Sequence, residues 1–459
     1  MDQPDLRPGT ERPHAEQAQT ERTPAAHPRA GQPPANEASP PQDIAPSRNA
    51  VRLDPRDADA RYRLALALLA RERGRNEGDR ERGAGTPEAR ARTYLDLGQA
   101  LIARGDMAEA ASWLREALRL EPDLIQARSS LGLALYGMGD LDAAVEELRG
   151  ILRTRPDVVG ARLTVATALV AKQDWPAARA ELEALVEMQP DLLQAHYSLG
   201  VVRYTLGDLD GALEAYRRVL AIDPQHHDAR YNLALMLKLA RRDAEATPEF
   251  LAAARAGLSR AEYFAGAAYA GGLGVERNLA LAVAWWFRAA EQGVPQAEEA
   301  LAQLRQAALG RGRRAPAERQ AAGQAFRNYR MELWKEFPDV ARDGDEPVGA
   351  ALLRQGRVGE GVAVLIREAS ALSEPAQRFL EALYEQGVEG QLAAYDERIL
   401  GYFKSAAAEG QLRPRIGLAR FYARGLGVDK DVARAVSLLK ATPHEDAQRL
   451  LKELSAGTP

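Results

Sequence analysis

Six histidines and no cysteine leave little from which to build a metal centre or a nucleophilic site. His226 and His227 form the one adjacent histidine pair. Neighbouring residues project apart and no third ligand stands at helical spacing, so a solvated turn is the simplest expectation there. Two loops, Gly272-Leu273-Gly274 and Gly425-Leu426-Gly427, carry a Gly-x-Gly that could let a backbone approach a pyrophosphate. That chemistry requires a buried strand before the loop and a helix opening after it, whereas both loops follow helical, alanine-rich sequence. Trp285-Trp286-Phe287 offers rings that could stack on a ligand. Arg311-Gly312-Arg313-Arg314-Ala315-Pro316 is basic and could serve as a hinge or a phosphate contact, although a solvated loop explains it as well. No Walker sequence, nucleophile elbow or His-Glu-x-x-His is present. The sequence therefore predicts no catalytic residue, no cofactor and no metal.

The elements around these residues are helical by composition. Alanine and leucine dominate the apolar fraction, aromatic residues make up 6%, and β-branched residues are sparse, which together predict an all-α fold. With 459 residues the chain exceeds a single compact core. The net charge of −4, from 61 basic and 65 acidic side chains, supplies no field for gathering nucleic acid or an anionic membrane. No run of 18 apolar residues offers a membrane span. The start, Met-Asp-Gln-Pro-Asp, has neither the cationic nor the apolar part of a secretory signal, so the expected location is cytoplasmic. Eleven of the 26 prolines fall in the first 55 residues, almost without large apolar side chains, and residues 1–50 are expected to form a disordered tail.

The rest of the chain is periodic. Leu97-Gly98, Leu131-Gly132, Val165-Ala166, Leu199-Gly200 and Leu233-Ala234 recur every 34 residues, as do Pro122, Pro156, Pro190 and Pro224. So do Asp106, Asp140, Asp174 and Asp208, and Ala110, Ala144, Ala178, Ala212 and Ala246. A constant step of this length predicts helical pairs that stack, each unit burying a face that it cannot bury alone. Small residues at the Leu-Gly positions and in the alanine series predict close approach of the two helices of a pair. The Gly-Asp dipeptides at 105–106, 139–140 and 207–208 predict a left-handed stop followed by a capping carboxylate. The prolines predict the turn into the next unit.

In spacing and residue type, Leu97-Gly98, Ala110, Leu114, Ala117 and Pro122 resemble the tetratricopeptide repeat. The likeness covers residues 91–226 in four units and a fifth from 227 to about 260, where Leu258 replaces the proline and Pro248 falls inside the second helix. Upstream, Asp54-Pro55 and Leu64-Ala65 look like one more first helix, and the charged stretch from Arg71 to Gly85 reads as a loop. From residue 261 the sequence resembles a Sel-one-like repeat, on Tyr269-Ala270-Gly271-Gly272-Leu273-Gly274-Val275, Ala282, Trp285, Ala289-Ala290 and Gly293. In that family aromatics placed like Trp285-Trp286-Phe287 usually pack between the helices of a unit. The loop returns 153 residues later as Tyr422-Ala423-Arg424-Gly425-Leu426-Gly427-Val428, with a degenerate copy near Leu383 to Val388. The expected organisation is a tail at 1–50, a degenerate helix and charged loop at 51–87, tetratricopeptide repeats at 88–260, and a Sel-one-like repeat at 261–304. A divergent helical region at 305–374 then leads to Sel-one-like repeats and a polar cap at 375–459. The whole is expected to be an αα superhelix.

In a tetratricopeptide stack the first helices line the concave side, so the resemblance turns the register into a groove. Its expected lining is Leu95, Gln99, Ile102, Ser129, Leu133, Tyr136, Leu163, Thr167, Val170, Tyr197, Val201, Tyr204, Tyr231, Leu235 and Lys238. Most of these are apolar or aromatic, and an exposed stripe of that kind predicts a cover. Co-chaperone members of the family that grip a terminal carboxylate place Lys and Asn at several of these positions. Leu95, Gln99, Ser129 and Leu133 stand there instead, which predicts no binding of such tails. The expected partner is a protein or peptide, an amphipathic helix or an extended apolar segment. The expected function is a cytoplasmic scaffold or adaptor. The competing occupants are the chain's own later helices or a second copy, and the competing role is a regulatory or targeting subunit of a separately encoded enzyme, for instance one acting in envelope or polysaccharide assembly. Nucleic acid is not an expected partner, because no basic stripe extends along the repeats from Arg311–Arg319.

Overall fold

A computed structural model describes residues 49–52, 54, 57–73, 86–311, 315–341, 343–440, 442 and 444–456. Among these the chain is helical and contains no strand, only an isolated antiparallel bridge between Val388 and Leu392. No helix among them is long and apolar enough to cross a membrane. Two compact units follow one another, the first ending at Met236 and the second beginning at Leu237. The expected tail lies outside the described residues apart from Asn49 and Ala50, which are helical. The charged loop also lies outside them beyond Arg73.

The first unit runs through α1 (Ala58–Arg73), α2 (Pro87–Arg104), α3 (Met107–Leu120), α4 (Ile125–Gly137), α5 (Leu141–Thr154), α6 (Val159–Ala171), α7 (Trp175–Met188), α8 (Leu193–Thr205) and α9 (Leu209–Ile222). Helix α10 (His227–Leu239) contains the boundary. From α1 to α9 each helix packs on the next, and α2, α4, α6 and α8 also touch in series. The five alanines of the 34-residue series are buried, as are Leu97, Leu131, Val165, Leu199 and Leu233. A Cβ added at Gly98, Gly132 or Gly200 would lie 2.5, 2.4 or 2.8 Å from Leu114, Leu148 or Tyr216. The small residue is thus filled by a large side chain four positions beyond each alanine, which the sequence reading had not paired with it.

Local signals act as their chemistry dictates. Gly105, Gly139 and Gly207 take φ of 89°, 80° and 84°, and each second helix ends two residues before its proline. Asp140, Asp174 and Asp208 accept hydrogen bonds from the backbone N–H groups of Ala143, Ala177 and Gly211. Asp106 departs from the expectation. It makes no side-chain capping bond and instead lies 3.6 Å from Arg104.

The second unit comprises α11 (Asp243–Arg255), α12 (Ser259–Gly271), α13 (Leu279–Glu291), α14 (Pro295–Ala308), α15 (Pro316–Leu333) with a 3-10 turn at Trp334–Glu336, α16 (Val348–Arg354), α17 (Val358–Ser370), α18 (Glu374–Gln386), α19 (Glu397–Ala408), α20 (Leu412–Arg424), α21 (Val432–Lys440) and α22 (Glu445–Ala456). Helix α11 continues through Pro248 without a break. The core of the second unit includes one cluster around Trp286, Phe326 and Tyr329 and another around Tyr384, Phe403 and Phe421. Buried polar groups are more frequent here. Glu368 accepts from the backbone N–H groups of Val348 and Gly349, both at 3.0 Å, at the start of α16. Gln377 donates to the Ala369 carbonyl at 3.2 Å and to Gln411 at 3.1 Å. Arg305 binds Glu409 through two bonds of 2.7 and 2.6 Å, joining α14 to the end of α19.

Candidate partner-binding groove

Because α2, α4, α6 and α8 touch in series, the expected groove residues from Leu95 to Tyr204 come together on neighbouring helices. Their exposure is uneven. Leu133 is 43% exposed, while Gln99, Ile102, Ser129, Tyr136, Leu163, Thr167, Val170, Tyr197 and Tyr204 are half-buried. Leu95, Val201, Tyr231 and Leu235 belong to the core, Leu235 at 1% exposure, so the stripe is not continuously bare. A first helix packed on both sides needs a wider apolar arc than a single contact seam, and these four residues fall within it. Lys238 belongs to the second unit, where its ammonium lies 3.8 Å from Asp243.

The polar members of the groove are engaged with their neighbours. Gln99 accepts from Arg61 at 3.1 Å and donates to Ser130 at 3.4 Å, spanning α1, α2 and α4. Thr167 donates to the Leu163 carbonyl one turn earlier. Tyr197 accepts from Asn232 at 3.1 Å, and its ring meets Tyr216 edge-on at 5.9 Å and stacks on His226 at 5.2 Å. His226 also accepts from the Ala229 N–H at 3.2 Å. It is therefore a packed turn residue, while His227 is exposed. Tyr216 is fully buried in the position held by Leu114 and Leu148 in earlier units. Burial drives its phenol far above the usual range, with Tyr197 and Tyr204 adding to the shift.

The sequence reading overlooked Asn232, Tyr216 and a further series. Arg128, Arg162 and Arg230 donate to the carbonyls of Pro122, Pro156 and Pro224, and His196 contacts that of Pro190. The same 34-residue step could have revealed this series, since a basic ring or guanidinium stands six residues after each proline.

Nothing in the chemistry-bearing candidates converges. Gly272 and Gly425 have φ of 69° and 73°, and their N–H groups bond Ala268 and Phe421 carbonyls, which makes them helix stops. A Cβ at Gly274 would lie 2.5 Å from the Asp243 carbonyl oxygen, so the second glycine is required by close packing. Trp286 is buried and donates to the Tyr263 carbonyl. Trp285 is half-buried under the guanidinium of Arg288. Arg311 donates to the Gly410 carbonyl, and residues 312–314 lie outside the described residues. Among the described residues no group of three His, Asp or Glu could hold a metal ion.

Family models for the TPR repeat and the tetratricopeptide repeat match residues 98–139 and 163–227. The chain carries tetratricopeptide repeats. The matched residues cover the end of α2, α3 and α4, and then most of α6 with α7, α8 and α9, and leave the second unit unmatched. Among solved structures, MamA 41-end from Desulfovibrio magneticus RS-1 is similar at 25% identity and a TM-score of 0.35, over 36% of this chain and 94% of that one. A thermophilic TPR protein of Thermus thermophilus is similar at 23% identity and a TM-score of 0.30, over 36% of this chain and 89% of that one. No curated protein matches the chain.

Proposed function

We propose that the chain is a protein-interaction scaffold whose tetratricopeptide repeats receive an apolar or amphipathic segment of a partner protein along α2, α4, α6 and α8. The observation that carries this reading is Leu133, a large apolar side chain 43% exposed beside half-buried Tyr136, in a unit whose other apolar side chains at this register are covered. Its neighbours Leu163, Val170 and Tyr204 extend a half-buried apolar lining over the next two units. A lining of this kind suits apolar anchors set three or four residues apart on a partner helix, or alternate residues of an extended segment. Lys and Asn are not grouped in this part of the groove, so a terminal carboxylate is not the expected anchor. The left-handed glycines at 272, 274, 425 and 427 support the further reading that the second unit includes Sel-one-like repeats, a second kind of scaffold module.

The test is capture of partners by the full tagged chain, compared with a Leu133→Glu/Tyr136→Ala variant. Circular dichroism checks that the helices survive, as expected for side chains that are exposed or half-buried. The variant should lose the proteins that the parent retains. Retention of the same set by a folded variant would place the binding surface elsewhere.

A further inference from the structure

We propose that the edge of α15 bearing Arg319, Arg327 and Arg330 docks an acidic, extended segment of a partner protein, a surface independent of the groove reading above. From Arg319 to Met331 the helix carries three arginines and no acidic residue. Positions 319, 323, 327 and 330 share one edge of a helix, because residues three and four apart are neighbours on its surface. Arg319 and Arg327 are exposed and Arg330 is half-buried. Gly323 leaves the step between Arg319 and Arg327 bare, since a Cβ there would meet only Nη1 of Arg327 at 3.5 Å.

These guanidinium groups lack the carboxylates that their counterparts have. In the second unit Arg288, Arg305, Arg354, Arg357, Arg367 and Arg420 each hold a carboxylate oxygen within 4.0 Å. Among the described residues Arg319 and Arg330 hold none, and Arg327 donates only to the neutral amide of Gln324, at 3.1 and 2.7 Å. The carboxylates that follow in the chain are committed elsewhere. Glu332 binds Lys335, Glu336 binds Arg288 and Arg367, and Glu368 accepts the Val348 and Gly349 amides. Burial holds Arg330 below the usual guanidinium range, Glu368 pulls against that, and the like charge of Arg327 adds to it. A cation stripped of water beside a second cation is a disfavoured arrangement that a bound anion relieves.

The chemistry of the edge selects the anion. A guanidinium fork matches the two oxygens of a carboxylate. At 1.5 Å per residue, Arg319 and Arg330 stand about 17 Å apart along the helix axis. Carboxylates on alternate residues of an extended segment recur about every 7 Å, so three of them span about 14 Å and fit within that length. The positive edge is short, because acidic residues return at Glu318 and Glu332 and the whole chain has a net charge of −4. Nucleic acid and an anionic bilayer are gathered by broader positive fields, which leaves a short acidic peptide as the matching partner.

The test uses the full chain and a fluorescein-labelled peptide of alternating glutamate and serine, with fluorescence anisotropy read at low salt. Saturable binding is expected, weakened about tenfold or more by Arg319→Gln/Arg327→Gln/Arg330→Gln. Arg424→Gln/Lys430→Gln/Lys440→Gln removes the same charge from exposed sites elsewhere and should leave binding unchanged, as should the groove variant Leu133→Glu/Tyr136→Ala. The Tm of the arginine variant should equal or exceed that of the parent, because no ion pair is lost. Absence of saturable binding, equal weakening by both triple variants, or a lowered Tm in the arginine variant would overturn the proposal. So would arginine-dependent preference for single-stranded RNA or for phosphatidylserine vesicles over the peptide. None of these outcomes bears on the groove, whose variant is read by its own capture experiment.

Discussion

The two units solve the same problem, stacking helices, with different chemistry. In the first, one contact is repeated: a glycine or alanine at 98, 132, 166 and 200, a bulky partner 16 residues later, and buried alanines on the second helix. In the second, helices are tied across long sequence distances by charges and amides. Arg305 reaches Glu409 over 104 residues, Arg367 binds Glu291 and Glu336, and Gln377 binds Gln411. Repeated apolar contacts spread stability over many equivalent seams, as expected of a one-dimensional stack. Polar ties concentrate it, because a buried charge that loses its partner keeps its desolvation cost.

Arg305→Ala is the sharpest way to break this contrast. Arg305 and Glu409 are 12% and 20% exposed, and removing one member of a buried pair costs about 3–5 kcal/mol. Urea unfolding should show a loss near 3 kcal/mol, the lower figure because some solvent reaches both groups. The comparable pair of the first unit, Arg162 with Glu181, makes one contact of 2.7 Å plus a bond to the Pro156 carbonyl. Arg162→Ala should cost only about 1–2 kcal/mol. Equal losses would erase the distinction between the units.

Glu368 gives the contrast a pH signature. Burial pushes its carboxyl up to about 7, against the opposing pull of the Gly349 and Val348 amides and of Arg330 and Arg367. Because the folded value lies above the unfolded one, the stability this group contributes is fully present below about pH 4.5 and is lost as pH rises through 7. A shift of that size corresponds to a loss on the order of 3 kcal/mol. In Glu368→Gln, where no carboxylate titrates, unfolding midpoints measured from pH 4.5 to 7.5 should show a flatter slope. An unchanged slope would mean that the carboxylate is solvated in the native state.

The same contrast explains what could be read from the sequence. Periodicity makes the first unit legible: Gly98, Ala110 and Asp140 repeat, so their shared role shows without a structure. Tyr216 was hidden because it is one departure within a series of leucines, and its effect on Tyr197 and Asn232 depends on packing between units. The burial of Tyr231 and Leu235 was hidden for a related reason, since register gives a residue's side of the helix but not what lies over it. The ties of the second unit leave no local trace. Nothing near Arg305 in the sequence points to Glu409, because the pair is closed by the path of five intervening helices, α15 to α19.

Within the first unit the equivalence of repeats can itself be tested at the caps, where the expected effects are smallest. Asp140 stands at the start of α5 and accepts from the Ala143 N–H at 3.4 Å, so Asp140→Ala removes a partner from one of the four N–H groups that a helix start leaves open. A loss of about 1 kcal/mol is expected. Asp106 occupies the same repeat position at the start of α3 but makes no capping bond, facing Arg104 at the exposed end of α2. An ion pair of that kind contributes only a few tenths of a kcal/mol, so Asp106→Ala should fall near the limit of a urea titration. If the two substitutions cost the same, the carboxylate at 106 swings onto the helix start in solution, and the four units are more alike than their geometry indicates.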